Sequence, residues 1–231
     1  LVGADADWQE PSPLVKAGLY WPDGAATTLA DLRSYWKPKQ PIAAVVFYRA
    51  LVQAGNTKVI DALISGLSDA GLNPLPVFAQ SLKDQEATAI MEQLFQNAPP
   101  DIILNGTGFS FSAPGGTRVQ TPFDAGRGDD APVVLQIVFS GGNEQSWREG
   151  LSGLSARDIA MNVALPEVDG RVLSRAVSFK GSARRDELTQ TDIVRYEPVV
   201  DRIMFVSKLA ANWARLRHTP EKNRRIALVM A

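Results

Sequence analysis

The sequence PIAAVVFYRALVQAGNT, residues 41–57, opens the stretch that decides the fold, and LNPLPVF, residues 72–78, closes it. The first part contains a short apolar run rich in β-branched residues, residues 42–47, which is typical of a strand covered on both faces of a parallel sheet. A segment with one apolar stripe follows a capping residue, Asn56 or Thr57, and ends at a glycine. This pattern predicts a helix between two strands, which is a βαβ unit.

The same alternation continues along the chain. We predict strands beginning near residues 42, 73, 101, 133 and 159, with helices between several of them. This arrangement predicts an α/β fold, a doubly wound parallel sheet that is flavodoxin-like and has the strand order 2-1-3-4-5.

Composition shifts divide the chain into three segments. Residues 1–40 combine prolines with tryptophan and tyrosine, which predicts an aromatic N-terminal arm. Residues 41–197 form the flavodoxin-like domain, in which residues 171–180 read as a hairpin or edge strand and residues 181–195 as a polar excursion. Residues 198–231 read as a long, largely buried helix and the first strand of a following domain, so we expect a fragment of a longer polypeptide.

Composition also excludes several classes of function. The chain of 231 residues has a net charge of −1, no cysteine and one histidine, His218. These counts argue against broad binding to nucleic acid, and they remove disulfides, thiolate metal sites and most histidine-based schemes. No leader opens the chain and no run reaches the roughly 18 apolar residues of a membrane helix, so we expect a cytoplasmic protein without membrane contact.

The strand order places one group of candidate ligand-binding residues together. Its switch point lies between the first and third strands, which brings Tyr48 and Arg49 beside Asn105, Thr107 and Phe109. A guanidinium, an amide and exposed backbone N–H groups suit a carboxylate or amide ligand. The alternative is that Arg49 pairs with a nearby carboxylate and has only a structural role.

Other residues are weaker candidates. Trp147 and Phe109 could close an apolar pocket or could simply pack in the core. Glu167 and Asp169 could offer oxygen ligands to a metal, although such carboxylates more often cap backbone groups in a turn. The chain has no Walker sequence, so we expect it not to bind a nucleotide itself.

These motifs together resemble a known family. They are FYRALVQAGNT (47–57), NGTGF (105–109), the strand at 134–139 with Trp147 after it, LPEVDG (165–170), LAANWARL (209–216) and RIALV (225–229). They are similar to the large subunit of cobaltochelatase, related to the porphyrin-binding subunit of magnesium chelatase. The match covers nearly the whole chain in the same order, and LPEVDG is its most specific part.

The resemblance implies an amino-terminal portion of a large subunit that inserts cobalt into hydrogenobyrinic acid a,c-diamide during cobalamin synthesis. It implies that cobalt is bound elsewhere in the full subunit, and that a ring ATPase subunit and a subunit with a metal-binding domain supply ATP hydrolysis. We expect the fragment alone to be inactive. Tyr48, Arg49, Asn105, Thr107, Phe109 and Trp147 are then the candidate substrate contacts. The alternative is a non-catalytic scaffold or docking module of a cobalt or magnesium chelatase large subunit.

Overall fold

The computed structural model describes residues 15–117, 119–124 and 130–229, and within these the side chains of residues 182–185 are not described. In this part of the chain, seven strands form one sheet. They are β1 (Ala17–Leu19), β2 (Ile42–Tyr48), β3 (Asn73–Ala79), β4 (Ile102–Asn105), β5 (Val133–Ser140), β6 (Val172–Asp186) and β7 (Thr191–Pro198).

Helices connect most of these strands. They are α1 (Leu29–Tyr35), α2 (Arg49–Gln53), α3 (Lys58–Asp69), α4 (Gln85–Asn97), α5 (Glu144–Glu149), α6 (Ala156–Ile159), α7 (Leu165–Val168) and α8 (Val200–His218). A π-helical turn, Ala160–Ala164, joins α6 to α7, so the three pieces form one continuous helix. None of the helices that the structure describes is both long enough and apolar enough to span a membrane.

The sheet is mostly parallel, with the order β1-β3-β2-β4-β5-β6-β7. The pairs β3–β2, β2–β4, β4–β5 and β5–β6 are parallel, and β1 and β7 add antiparallel strands at the two edges. The first four predicted strands therefore have the predicted order 2-1-3-4, with the switch point between β2 and β4.

The alternation of side chains along β2 divides the core into two layers. Val45 and Phe47 are fully buried on the face that α3 and α8 cover. Ala44 and Val46 are fully buried on the opposite face, under α1 and α4. Because both faces of β2 are covered, nearly all of its residues are apolar. This continuous apolar run is the pattern from which the strand was predicted.

The fifth predicted strand, at residues 159–165, is wrong. These residues lie in the helix from α6 to α7, which begins after Ser155, whose hydroxyl accepts the N–H of Asp158 over 3.1 Å. The run is apolar enough for a strand, but its alanine, methionine and leucine residues also favour a helix, and the cap decides between the two. The fifth position in the sheet is taken by β6.

The segment predicted as a polar excursion, residues 181–195, is also different in the structure. Most of it belongs to a hairpin in which β6 pairs antiparallel with β7. Residues 187–195 of this hairpin are exposed throughout, and that explains why their mostly polar sequence resembles a loop.

The long helix is less buried than its composition predicts. Val206, Ala210 and Ala214 are buried on one face of α8, whereas Met204 and Phe205 are 50% and 41% exposed on the other. Pro198 ends β7 rather than lying in the first turn of the helix.

The ends of the described chain test two further expectations. Residues 224–229 form no strand in the described range, and Ile226, Leu228 and Val229 are exposed. In the predicted arm, β1 joins the main sheet beside β3, and the indole N–H of Trp36 donates to the Pro74 carbonyl over 2.8 Å. Residues 1–14 lie outside the described residues.

Candidate functional site

The switch point of the sheet brings the end of β2 beside the segment that follows β4, residues 106–112, which we call the edge loop. The hydroxyl of Tyr48 donates to the carbonyl of Gly108 over 3.2 Å, and the N–H of Gly106 donates to Val46 over 2.8 Å. Burial raises the pKa of Tyr48, so this hydroxyl stays neutral and keeps its proton near neutral pH.

A cavity of about 380 Å³, which we call the edge cleft, opens at this carboxyl edge of the sheet. It is lined by Tyr48, Gly106, Gly108, Phe109, Phe139, Gly141, Gly142, Ser155, Arg157, Asp158, Met161, Asn162, Lys180 and Tyr196. A second cavity of about 280 Å³ shares Tyr48, Gly108 and Phe109 with it. The side chains of Tyr48 and Phe109 therefore stand between two adjoining cavities, at the place where open α/β sheets bind ligands.

Gly106 leaves room for an aromatic wall of the edge cleft. A Cβ atom at this position would lie 2.5 Å from the ring of Phe139, closer than carbon atoms approach without displacement. Gly106 thus has a packing role here.

Phe109 is held in an unusual backbone conformation within the edge loop. Its φ angle is +64°, in the left-handed region that bulky residues rarely adopt, and its side chain is 48% exposed. Its N–H donates to the carbonyl of Met161 over 2.9 Å. An exposed aromatic residue held in a strained conformation beside a cavity points to a ligand contact.

The π-helical turn explains why that carbonyl is available. The N–H of Leu165 donates to Ala160, five residues back, so it does not reach Met161. The next residue, Pro166, has no N–H to donate. The proline of the LPEVDG motif therefore leaves the Met161 carbonyl without a partner inside the helix, and the edge loop supplies one.

Asp169 holds the next part of the edge loop. Its carboxylate accepts the N–H groups of Phe111 and Ser112 over 2.8 and 2.9 Å, and it forms an ion pair with Arg171 over 2.9 Å. Both charged side chains are 2% exposed. Gly170, at φ +75°, provides the left-handed turn that ends the helix.

These bonds bear on the predicted metal ligands. The Asp169 oxygens already accept two backbone N–H groups and a guanidinium N–H, which is the capping role that the sequence left as the alternative. Glu167 is exposed. Among the described residues, no three acidic, histidine or cysteine residues come close enough together to hold a metal ion.

Arg171 directly follows the LPEVDG motif and extends from it to the second cavity. It lines that cavity, and its guanidinium lies 5.7 Å from the ring centre of Phe111 and 5.6 Å from that of Phe123. Burial lowers its pKa, and the charge of Asp169 opposes that shift.

Asn105 and Thr107 lie beneath the edge cleft rather than in it. Both are fully buried, and the Thr107 hydroxyl donates to the Asn105 side chain over 2.9 Å. The Asn105 amide donates in turn to Gln136 over 2.8 Å. This network fixes the start of the edge loop, and the prediction that these two residues contact substrate stays a prediction.

Arg49 and Trp147 lie away from the two cavities. The Arg49 guanidinium donates to the carbonyl of Val15 over 3.1 Å, on the side of the sheet edge that β1 covers. The ring of Trp147 lies 4.9 Å from that of Phe179, and the Arg202 guanidinium lies 4.3 Å from its centre. Trp147 therefore belongs to an apolar cluster, and its role in binding also stays a prediction.

The sequence did not single out four residues that line the edge cleft, Asp158, Asn162, Lys180 and Tyr196. The first two were missed because a strand, and not a helix, was predicted from residue 159. The other two were missed because residues 171–180 were predicted as a hairpin or edge strand without their continuation into the pairing of β6 with β7. The pattern Ser-Ala-Arg-Asp at 155–158 was the available signal, since a serine followed three residues later by an acid marks a helix start.

Comparisons with known proteins identify relatives of this chain. A family model described as CobN/Magnesium Chelatase matches residues 1–231. The chain belongs to this family. Two relatives named aerobic cobaltochelatase subunit CobN, from Sinorhizobium sp. and Pseudomonas aeruginosa, are 42% and 40% identical over 96% and 100% of the chain. The match covers 18% of each of these CobN subunits, so the chain spans about a fifth of their length.

A solved structure shares the fold. The catalytic subunit of cobaltochelatase from Mycobacterium tuberculosis superimposes with a TM-score of 0.67 and 24% identity. The superposition covers 94% of this chain and 17% of that one. The mixed α/β architecture of this chain is thus also found in that catalytic subunit.

Proposed function

We propose that this chain is part of the large subunit of an ATP-dependent cobaltochelatase, which inserts cobalt into hydrogenobyrinic acid a,c-diamide in cobalamin biosynthesis. The proposal is supported by the identity of 42% to a CobN subunit across 96% of the chain. Cobalt is then a substrate bound elsewhere in the full subunit. A ring ATPase subunit and a partner with a metal-binding domain hydrolyse ATP, and the complex works in the cytoplasm.

Within that subunit, the edge cleft contacts the tetrapyrrole. The observation that supports this role is Phe109, whose exposed ring stands between two cavities while its strained backbone is held by the Met161 carbonyl. A flat macrocycle offers a large π face, and an aromatic side chain gains most when it packs against such a face.

The other polar side chains around the edge cleft hold the periphery of the macrocycle. Metal insertion requires a macrocycle fixed in position, a delivered metal and a base for the pyrrole protons. The residues of this chain serve the first requirement, because the described part offers hydroxyl, amide and cationic groups around the cleft but no cluster of metal ligands. Tyr48 and Phe109 line the cleft, and Arg49 stays a proposed contact of the carboxylates.

One surface favours the scaffold alternative. Val200, Met204 and Phe205 are 70%, 50% and 41% exposed on α8. Adjacent exposed apolar residues on a helix are typical of a surface that another domain or subunit covers. In that case the chain would dock the ATPase ring or a neighbouring domain, and the buried Asp169–Arg171 pair would serve stability alone.

Titration of the full large subunit with hydrogenobyrinic acid a,c-diamide separates the two functions. Phe109→Ala should weaken binding by about tenfold, because stacking of an aromatic side chain contributes roughly 0.5 to 1.5 kcal/mol beyond its buried area. Phe205→Ala is the matched control, since that ring is exposed to a similar extent on α8 and away from the edge cleft. Unchanged binding in Phe109→Ala, with impaired assembly in Phe205→Ala, would favour the scaffold.

A further inference from the structure

Asp158 is a buried carboxylate that faces the edge cleft and forms no ion pair within the described part of the chain, although the adjacent, exposed Arg157 lines the same cavity. The residue is 5% exposed and lines the cleft. Its carboxylate accepts the hydroxyl of Ser140 over 2.7 Å, the N–H of Gly141 over 3.2 Å and the amide of Asn162 over 3.4 Å. Among the ion pairs within 4.0 Å that the described side chains form, none includes Asp158.

A buried carboxylate without a counterion lowers the stability of the folded protein, so its presence at a cleft points to a binding role. A buried charge is normally paired with an opposite charge, because hydrogen bonds alone recover only part of the lost hydration. A carboxylate has about four lone-pair directions, and the Oδ2 atom of Asp158 accepts only one bond, from Ser140. The remaining acceptor capacity faces a cavity, so the missing partner is an N–H donor on a ligand.

A second residue in the lining of the edge cleft supplies the complementary donor. Lys180 lines the same cavity, and its ammonium lies 5.5 Å from the ring centre of Tyr196. It forms none of the ion pairs found among the described side chains. The cleft therefore presents an acceptor, Asp158, and a donor, Lys180, in one cavity, and Arg157 adds a second cationic donor to its lining.

We propose that Asp158 and Lys180 bind a primary carboxamide on the edge of the tetrapyrrole and so select amidated over unamidated substrate. A carboxamide has N–H groups for the Asp158 carboxylate and a carbonyl oxygen for the Lys180 ammonium. A free carboxylate in the same place has no N–H and repels Asp158. This inference rests on the proposed function, and it adds the substrate group that the cleft recognises.

The test compares two macrocycles, hydrogenobyrinic acid a,c-diamide and hydrogenobyrinic acid, by titration into the full large subunit. The unmodified subunit should bind the diamide more tightly by about tenfold, since loss of one hydrogen bond to a charged group costs at least that much. Asp158→Asn should reduce this preference to near one, because an asparagine can donate to a carboxylate.

A second variant keeps the test decisive if Asp158→Asn fails to fold. Lys180→Met removes an exposed ammonium and should weaken diamide binding by about tenfold. Lys208→Met, an exposed lysine on α8, is the matched control and should bind both macrocycles as the unmodified subunit does.

The outcomes distinguish this inference from the proposed function. If the unmodified subunit binds both macrocycles equally, or if Asp158→Asn and Lys180→Met both keep its affinity and preference, the carboxamide site is overturned while tetrapyrrole binding stands. If the unmodified subunit binds neither macrocycle, the proposed function fails and the site fails with it.

Discussion

The N–H of Phe109 donates to the carbonyl of Met161 over 2.9 Å, and this bond ties the edge loop to the π-helical turn, which also lines the edge cleft. The carbonyl is available because Pro166 cannot donate to it and the N–H of Leu165 donates to Ala160 instead. One proline in the helix thus fixes the conformation of an aromatic residue far away in sequence.

The variant Pro166→Ala tests that relationship. An alanine restores an N–H that can donate to Met161 within the helix, so the Phe109 N–H loses its partner for part of the time. Hydrogen exchange at the Phe109 amide should become faster, while β2 and β4 stay protected. Pro220→Ala, which lies beyond α8, is the control. Unchanged exchange at Phe109 in Pro166→Ala would show that the proline does not hold the loop.

The buried pair of Asp169 and Arg171 should be essential for stability. Asp169→Asn leaves the Arg171 guanidinium buried without its counterion and weakens the hold on Phe111 and Ser112. We expect a loss of roughly 3 to 5 kcal/mol in the free energy of unfolding, measured by urea denaturation.

Glu144→Gln provides the comparison for that variant. It breaks the exposed ion pair with Arg148, one helical turn away, and should cost no more than about 0.5 kcal/mol. Equal losses in Glu144→Gln and Asp169→Asn would contradict the special role of the buried pair.

The raised pKa of Tyr20 predicts that the folded protein loses stability at alkaline pH. Burial raises its pKa to about 12, and its hydroxyl donates to Asp61 over 2.7 Å. Because the pKa is higher in the folded state than its ordinary value near 10, the contribution to stability is complete below pH 10. It is lost as the pH rises from about 10 to about 12.

The variant Tyr20→Phe isolates this effect from other tyrosines whose pKa is raised, such as Tyr48 and Tyr196. Urea midpoints of the two proteins should converge as the pH rises through that range, since the variant has no hydroxyl to ionise. A constant difference between the two proteins from pH 9 to pH 12 would be inconsistent with a raised pKa at Tyr20.

Substitutions at Arg49 distinguish a role in substrate binding from a purely structural role. If its fork contacts a carboxylate of the tetrapyrrole, Arg49→Ala should weaken binding by the full subunit about ten- to a hundredfold with the fold intact. Lysine should restore only part of the affinity, because a point charge cannot replace the fork. Unchanged binding with a lower melting temperature would show that Arg49 has a structural role, to which its bond to the Val15 carbonyl contributes.

The sequence predicted the centre of the sheet well and its margin poorly, for a physical reason. Residues 42–47 are apolar on both faces and include β-branched residues, a pattern that suits a buried parallel strand. Residues 159–165 are apolar too, but their environment includes a cap at Ser155 and a proline at Pro166 that together set a helix with a π-helical turn. Local pattern alone does not distinguish these two cases.

The candidate site was predicted in part for the same reason. The strand order was enough to place Tyr48 beside the edge loop, where its hydroxyl reaches Gly108. Asp158 and Lys180 come from a helix and a hairpin that were assigned differently, so their meeting in one cavity could not be inferred. The position of Arg49 depends on β1, which the sequence treated as part of an arm.

Hydrogen exchange of the full large subunit, with and without hydrogenobyrinic acid a,c-diamide, tests tetrapyrrole contact at the edge cleft most directly. With saturating macrocycle, exchange should slow at residues 106–112 and 155–162, the two segments that contribute most of the cleft lining, and should stay unchanged at residues 200–208 on α8. Unchanged exchange at both cleft segments, with protection only in other parts of the subunit, would contradict this contact and favour a scaffold.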